Sequence, residues 1–130
     1  MAFLDDIEAR LIAQGVVSTG WTLRKAYHAD APDQLIIISE IPAATGFPPD
    51  YFATANEQLM FQVRVRAARL DYTAGRLKSQ GCFNALHGAS LTGPPFYVYI
   101  MALADGPRPF YDPEDRPNFT QEYKVLKVRG

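Results

Sequence analysis

A chain of 130 residues, 48% hydrophobic and 21% charged with a formal net charge of −1, is long enough for one domain with a real core. It is too evenly balanced for sequence-independent DNA binding, which draws on many phosphate contacts. The single cysteine, Cys82, excludes an internal disulfide framework and a multi-cysteine zinc site. No apolar run reaches the ~18 residues of a membrane span. The acidic start, with Asp5, Asp6 and Glu8, lacks the cationic opening of a signal peptide. A soluble protein made in the cytoplasm is expected. The charge is also segregated: residues 1–57 carry three basic and eight acidic side chains, residues 58–90 five and one, and the rest five of each. Such segregation serves either complementary patches on neighbouring copies or compensation within one fold.

Phe3, Leu4, Ile7 and Leu11 recur at helical spacing, predicting a helix over residues 2–13 that ends at Gly15. Asp5 and Asp6 lie in its first turn, where the helix dipole favours anions. A short strand is expected from Trp21 to His28, then a turn at Asp30-Ala31-Pro32-Asp33. The β-branched run Leu35-Ile36-Ile37-Ile38 predicts a strand covered on both faces. The two strands are expected to form an antiparallel hairpin. From Glu40 to Glu57 the pattern breaks. Pro42, Pro48 and Pro49, with Phe47, Tyr51 and Phe52, make a stiff aromatic loop, either a contact surface or a lid on the core.

In Phe61-Gln62-Val63-Arg64-Val65-Arg66-Ala67 the apolar and the polar side chains alternate. A strand over residues 58–67 then has one apolar face and one cationic face rich in donors. A helix over 71–87 follows, with Asp71 at its N-cap and Gly88 just past its end. Thr73, Arg76, Gln80 and Asn84 form its polar stripe, flanked on one side by Leu70, Ala74, Leu77 and Gly81. It packs against the sheet and the first helix. After a turn at 91–95, Phe96 to Ala104 is an apolar strand. Residues 105–117 read as a proline-rich charged loop, with Asp112, Glu114 and Asp115 in a solvated turn. Asn118 to Arg129 closes the chain as a strand with Phe119, Gln121, Tyr123 and Val125 on one face. Glu122 lies on the other, where it can answer Arg64 or Arg66 across the ladder. The order implies a single α+β domain over 1–130: a mostly antiparallel sheet of about five strands with two helices on one face.

Chemistry-bearing patterns are sparse. Cys82, mid-helix among Phe83 and Leu86, reads as a core hydrophobe rather than a nucleophile. His87 suits a helix C-terminus, and neither histidine stands in a metal-ligand spacing. No phosphate-cradling glycine pattern or nucleophile elbow is present. The sequence therefore implies no enzyme, no cofactor and no metal. Arg64, Arg66, Arg69, Arg76 and Lys78 lack the interleaved aromatics of a nucleic-acid surface. Salt bridges within the sheet or to a neighbouring subunit suit them better.

Taken in order, Glu40-Ile41-Pro42, Gly46-Phe47-Pro48-Pro49, Phe61 to Arg66, Tyr72, Leu86-His87-Gly88, Asp112, and Asp115 to Tyr123 form a set that resembles the small phage minor capsid and tail terminator proteins. The likeness spans about residues 35–125. It implies a virion protein of the tail or neck. Typically six copies close into a ring on the head-proximal end of the tail tube. The ring's partners are other copies, the tube protein and the head connector, and DNA passes through only as genome. No membrane is involved. A ring of heterologous contacts needs two different surfaces per copy. The interface candidates are Arg64, Arg66, Glu40, Phe47, Tyr51, Phe52, Asp112, Glu114 and Arg116, with Arg64 or Arg66 pairing with an acid of the next copy. A head-closure or connector adaptor is the alternative within the same class. A small ligand-binding or enzymatic domain with Cys82 or His87 at its pocket is the alternative from another.

Overall fold

The computed structural model describes residues 3–25, 33–41, 56–89, 97–103 and 107–128. Its elements are α1 (Phe3–Ala13), β1 (Thr22–Lys25), β2 (Leu35–Ile41), β3 (Asn56–Arg66), α2 (Tyr72–Leu86), β4 (Tyr97–Ala102), β5 (Arg108–Tyr111) and β6 (Pro117–Val128). The fold is α+β, as the element order implies. The strands form one sheet in the order β1-β2-β3-β6-β4, with β5 also on β6. That makes six strands where about five are expected. The missed one, β5, lies inside the region read as a charged loop.

Alternation sets the layers. β3 pairs antiparallel with both β2 and β6, so Phe61 faces Tyr123, Val63 faces Gln121 and Val65 faces Phe119. These residues point to the helix side with Ile36, Ile38 and Val125, and the core closes over them with Ile7 and Leu11 of α1 and Cys82, Ala85 and Leu86 of α2. Phe61 stacks on Tyr123 at 5.0 Å between centroids, and Phe3 meets its edge at 5.6 Å. A fully buried side chain of this size contributes about 1.5–3 kcal/mol, so this face holds the molecule together. Leu35 to Ile38 are all buried, which is the double coverage their continuous apolar run predicts.

Both helices end as expected. Gly15 takes φ +75, and the N–H groups of Gly15 and Val16 return to the carbonyls of Ile12 and Leu11, both at 3.0 Å. This double bond pattern closes a helix with glycine in the left-handed region. Gly88 follows α2 with φ +80. Asp71 stands at the N-cap of α2 but its side chain makes no cap hydrogen bond. The face that α2 buries is Gly75, Ser79, Cys82, Ala85 and Leu86, largely a stripe of small residues. Leu77, placed by periodicity on an apolar flank, is 66% exposed. Arg10 Nε on the Ala85 carbonyl at 3.0 Å, and Lys78 Nζ on the Val16 carbonyl at 2.8 Å, tie the two helices' neighbourhoods together.

The expected hairpin between β1 and β2 is not formed. The two pair in parallel, Thr22 with Leu35 through Lys25 with Ile38. The 26–34 connection is far longer than a tight hairpin turn and does not force the chain straight back. The parallel register sets Leu23 beside Ile36 on the core face. It also brings Lys25 to Asp5 and to Glu8, the latter at 3.1 Å. The hydrogen bond from Lys25 to Asp5, then that to Glu8, holds the ammonium above its ordinary range.

β4 and β5 lie one after the other along the same edge of β6. Ala102 pairs with Tyr123 and Arg108 with Thr120. β5 and β6 are joined at Asp112–Arg116, where the Asp112 N–H donates to the Arg116 carbonyl at 3.2 Å. In the alternation this sets, Pro109 points away from the ladder. A residue without an N–H is tolerated there and blunts the free edge.

Candidate functional site

The cationic face of β3 ends where β6 begins. Register places Arg64 opposite Thr120 and Arg66 opposite Asn118. Arg64 Nε donates to Asn118 Oδ1 at 2.8 Å, and Asn118 Nδ2 donates to the Arg116 carbonyl at 2.9 Å. The Arg64 guanidinium also lies 5.0 Å from the centre of the Phe110 ring. Arg66, 3% exposed, donates from Nε to the Asp33 carbonyl at 3.2 Å. Burial lowers both guanidinium pKa values, and the Arg116 charge adds to that effect. The expected answer from Glu122 goes elsewhere: it opposes Gln62 and pairs with Arg108 at 3.2 Å.

Arg116 is the centre of the knot. Its side chain, 8% exposed, meets three carboxylates: Asp112 at 2.9 Å, Asp33 at 3.2 Å and Glu114 at 3.2 Å. Asp112 also accepts the backbone N–H groups of Glu114 at 3.1 Å and Arg116 at 3.0 Å. Burial works against the ionised Asp112. The Arg116 N–H, the Arg116 guanidinium and Asn118 outweigh it and hold the carboxyl below its usual range. Burial likewise opposes the charge on Arg116, but Asp33 and Asp112 win and raise its pKa. The expected solvated turn is thus corrected for Asp112, whose side chain is only 6% exposed. A solvated chain would not place one carboxylate against two backbone donors and a buried guanidinium.

The structure therefore gathers Arg64, Arg66, Asp112, Glu114 and Arg116 at one end of the sheet. Glu40 lies near the opposite end of β2, exposed, in register with Phe61. Phe47, Tyr51 and Phe52, with the whole 42–55 loop, lie outside the described residues, as does the turn over 30–32. Sequence reading missed Asn118 and Asp33, which complete the knot. No periodicity marks an amide whose arginine partner lies 54 positions away.

Outside the knot, the same end carries an apolar cleft. The β3–α2 turn and the β5–β6 turn stand side by side, with Arg69 and Asp115 3.9 Å apart. Leu70, Tyr72, Tyr111 and Pro117 line a cleft of about 470 Å³ between them. Tyr72 packs edge-on against the buried Phe119 at 5.0 Å.

The cysteine and histidine that would serve a pocket chemistry have structural settings. Cys82 is buried, and burial pushes its thiol up to about 12, so it is neutral at physiological pH. His87 stacks on Phe83, and its Nδ1 accepts the Ala102 N–H at 3.0 Å. Among the described residues, no helix is long and apolar enough to cross a membrane and no acidic, histidine or cysteine cluster could hold a metal ion. What the arrangement offers is stiffness inside and contact area outside.

Comparison of the whole fold finds solved structures that share it. A chain of the virion of a native gene transfer agent particle superposes with a TM-score of 0.68, over 95% of this chain and 92% of that one, at 14% identity. The two share a fold. Neither a family model nor a curated protein sequence matches the chain.

Proposed function

We propose that this chain is a virion structural protein that terminates a tail. Several copies close into a ring, six by resemblance, on the head-proximal end of the tail tube and join it to the head connector. The observation that carries this reading is the shared fold, which runs through almost the full length of both this chain and a virion chain. The resemblance of the ordered motifs to tail terminators supports the finer role. The arginine knot supports it physically. A protein that works by docking needs its contact surfaces held rigid before they meet, because pre-organisation lowers the ordering cost of association. Arg66 and Arg116 act inside each copy as that framework. Glu40, Glu114 and the aromatic loop remain the proposed contacts between copies, together with the half-buried Arg64.

Labelling intact particles with an antibody against the chain tests the role. Label at the junction of head and tail is the expected result. Label confined to the far tip of the tail, or to the head shell, would overturn it.

A further inference from the structure

We infer that the cleft between the β3–α2 turn and the β5–β6 turn receives the diproline segment Pro48-Pro49-Asp50 of a neighbouring copy. This rests on the ring reading and names one of its contacts. Three observations carry it. The first is the cleft itself. Leu70 is held at φ +67 and is 92% exposed, and Tyr111 is 61% exposed. A left-handed leucine costs about 1 kcal/mol, and here it presents an apolar side chain to solvent instead of burying it. With Tyr72 and Pro117 these residues make a wall of aromatic, proline and aliphatic surface. Grooves of that composition take extended, proline-rich segments, whose backbone is already ordered before binding.

The second is charge. Asp50 directly follows the diproline. At the cleft rim Arg69 is 3.9 Å from Asp115 and both side chains are largely exposed. A carboxylate seated beside Arg69 complements it.

The third is reach, and it decides between the copy's own segment and a neighbour's. The 42–55 connection begins at Ile41, in register with Met60, and ends at Asn56, the end of β3 far from the cleft; the Asn56 side sets its reach. Asn56 to Arg66 is ten steps of strand, about 33 Å at the usual rise. Pro49 is seven residues from Asn56, so it reaches at most about 25 Å even when fully extended. A chain cannot place this segment in its own cleft. The second diproline, Pro94-Pro95, stands two residues from Tyr97, which is fixed at that same far end by Lys127. The contact is then heterologous, far end to cleft end, which is the type that closes a ring.

Two single-cysteine additions test this on the full chain. Pro49→Cys protein is mixed with Tyr111→Cys protein under mild oxidation, and Pro49→Cys with Ala9→Cys serves as the control. The native Cys82 is buried and does not compete. Disulfide-linked heterodimer in the first mixture, at least fivefold above the control, is expected. A yield equal to the control overturns the inference. So does a double variant, Pro49→Cys with Tyr111→Cys, that loses both thiols while staying monomeric. Native mass measured on the same samples separates the two readings: rings without the cross-link remove this contact and keep the ring, whereas monomer without the cross-link at every concentration counts against both.

Discussion

At Gly75 a Cβ would lie 2.6 Å from Phe119 Cε1 and 2.9 Å from Ala67 Cβ. Alanine is favoured over glycine by about 1 kcal/mol in a free helix. Here the neighbours are a fully buried ring and a buried methyl group, and overpacking costs about 1–3 kcal/mol. The clash wins: Gly75→Ala should lose up to about 2 kcal/mol, read as a lower urea midpoint with an unchanged slope. A rise in the midpoint would show that α2 is free to lift. Asp112 gives a second test at this scale. Its folded pKa lies below the unfolded value near 3.9, so its stabilisation is present above that value and fades as pH falls through the folded one. Asp112→Asn should be less stable at pH 7. The gap to the native protein should shrink as pH falls below about 4. A gap that stays constant across that range would remove the carboxylate's charge from the account.

Among elements, the alternating strands were the legible part. Phe61, Val63 and Val65 alternate with Gln62, Arg64 and Arg66, and Phe119, Tyr123 and Val125 alternate with Thr120, Glu122 and Lys124; that pattern, which only Gln121 interrupts, assigns Phe61, Val63, Val65, Phe119 and Tyr123 to the helix side. It assigns Arg64 and Arg66 to the other. β5 was hidden because Pro107 and Pro109 read as loop residues, although an edge strand accepts a proline that points outward. The direction of β1 was hidden because strand patterns carry no sign of polarity. The buried stripe of α2 was hidden by its own smallness, since Gly75 and Ser79 give no hydrophobic signal. The knot's arginines were visible, but Asn118 and Asp33 were not, because their roles arise from register across distant strands. Arg116 joins three of these segments. Arg116→Leu leaves Asp112 buried against the sheet without its cation, and breaking such a pair costs roughly 3 kcal/mol or more. Amide exchange in β5 and the 112–116 turn should quicken first, ahead of β3. Uniform loss of protection across the sheet would show that the knot is not local to that end.

For the whole molecule, some of the segregated charge is compensated within the fold. Lys25 is met by Asp5 and Glu8, and Arg116 by Asp33, Asp112 and Glu114. Among the described residues the most exposed large apolar side chains are Leu70 and Tyr111 at one end and Leu77 on α2. In the proposed role such a protein works by being fitted between others, with stiffness supplied by the sheet and specificity by its turns. Imaging phage-type tail tubes with and without the purified protein tests that proposal most directly. The expected result is a ring of this protein closing one end of each tube and halting its growth. Tubes that lengthen unchanged, with bare ends at saturating protein, would contradict it.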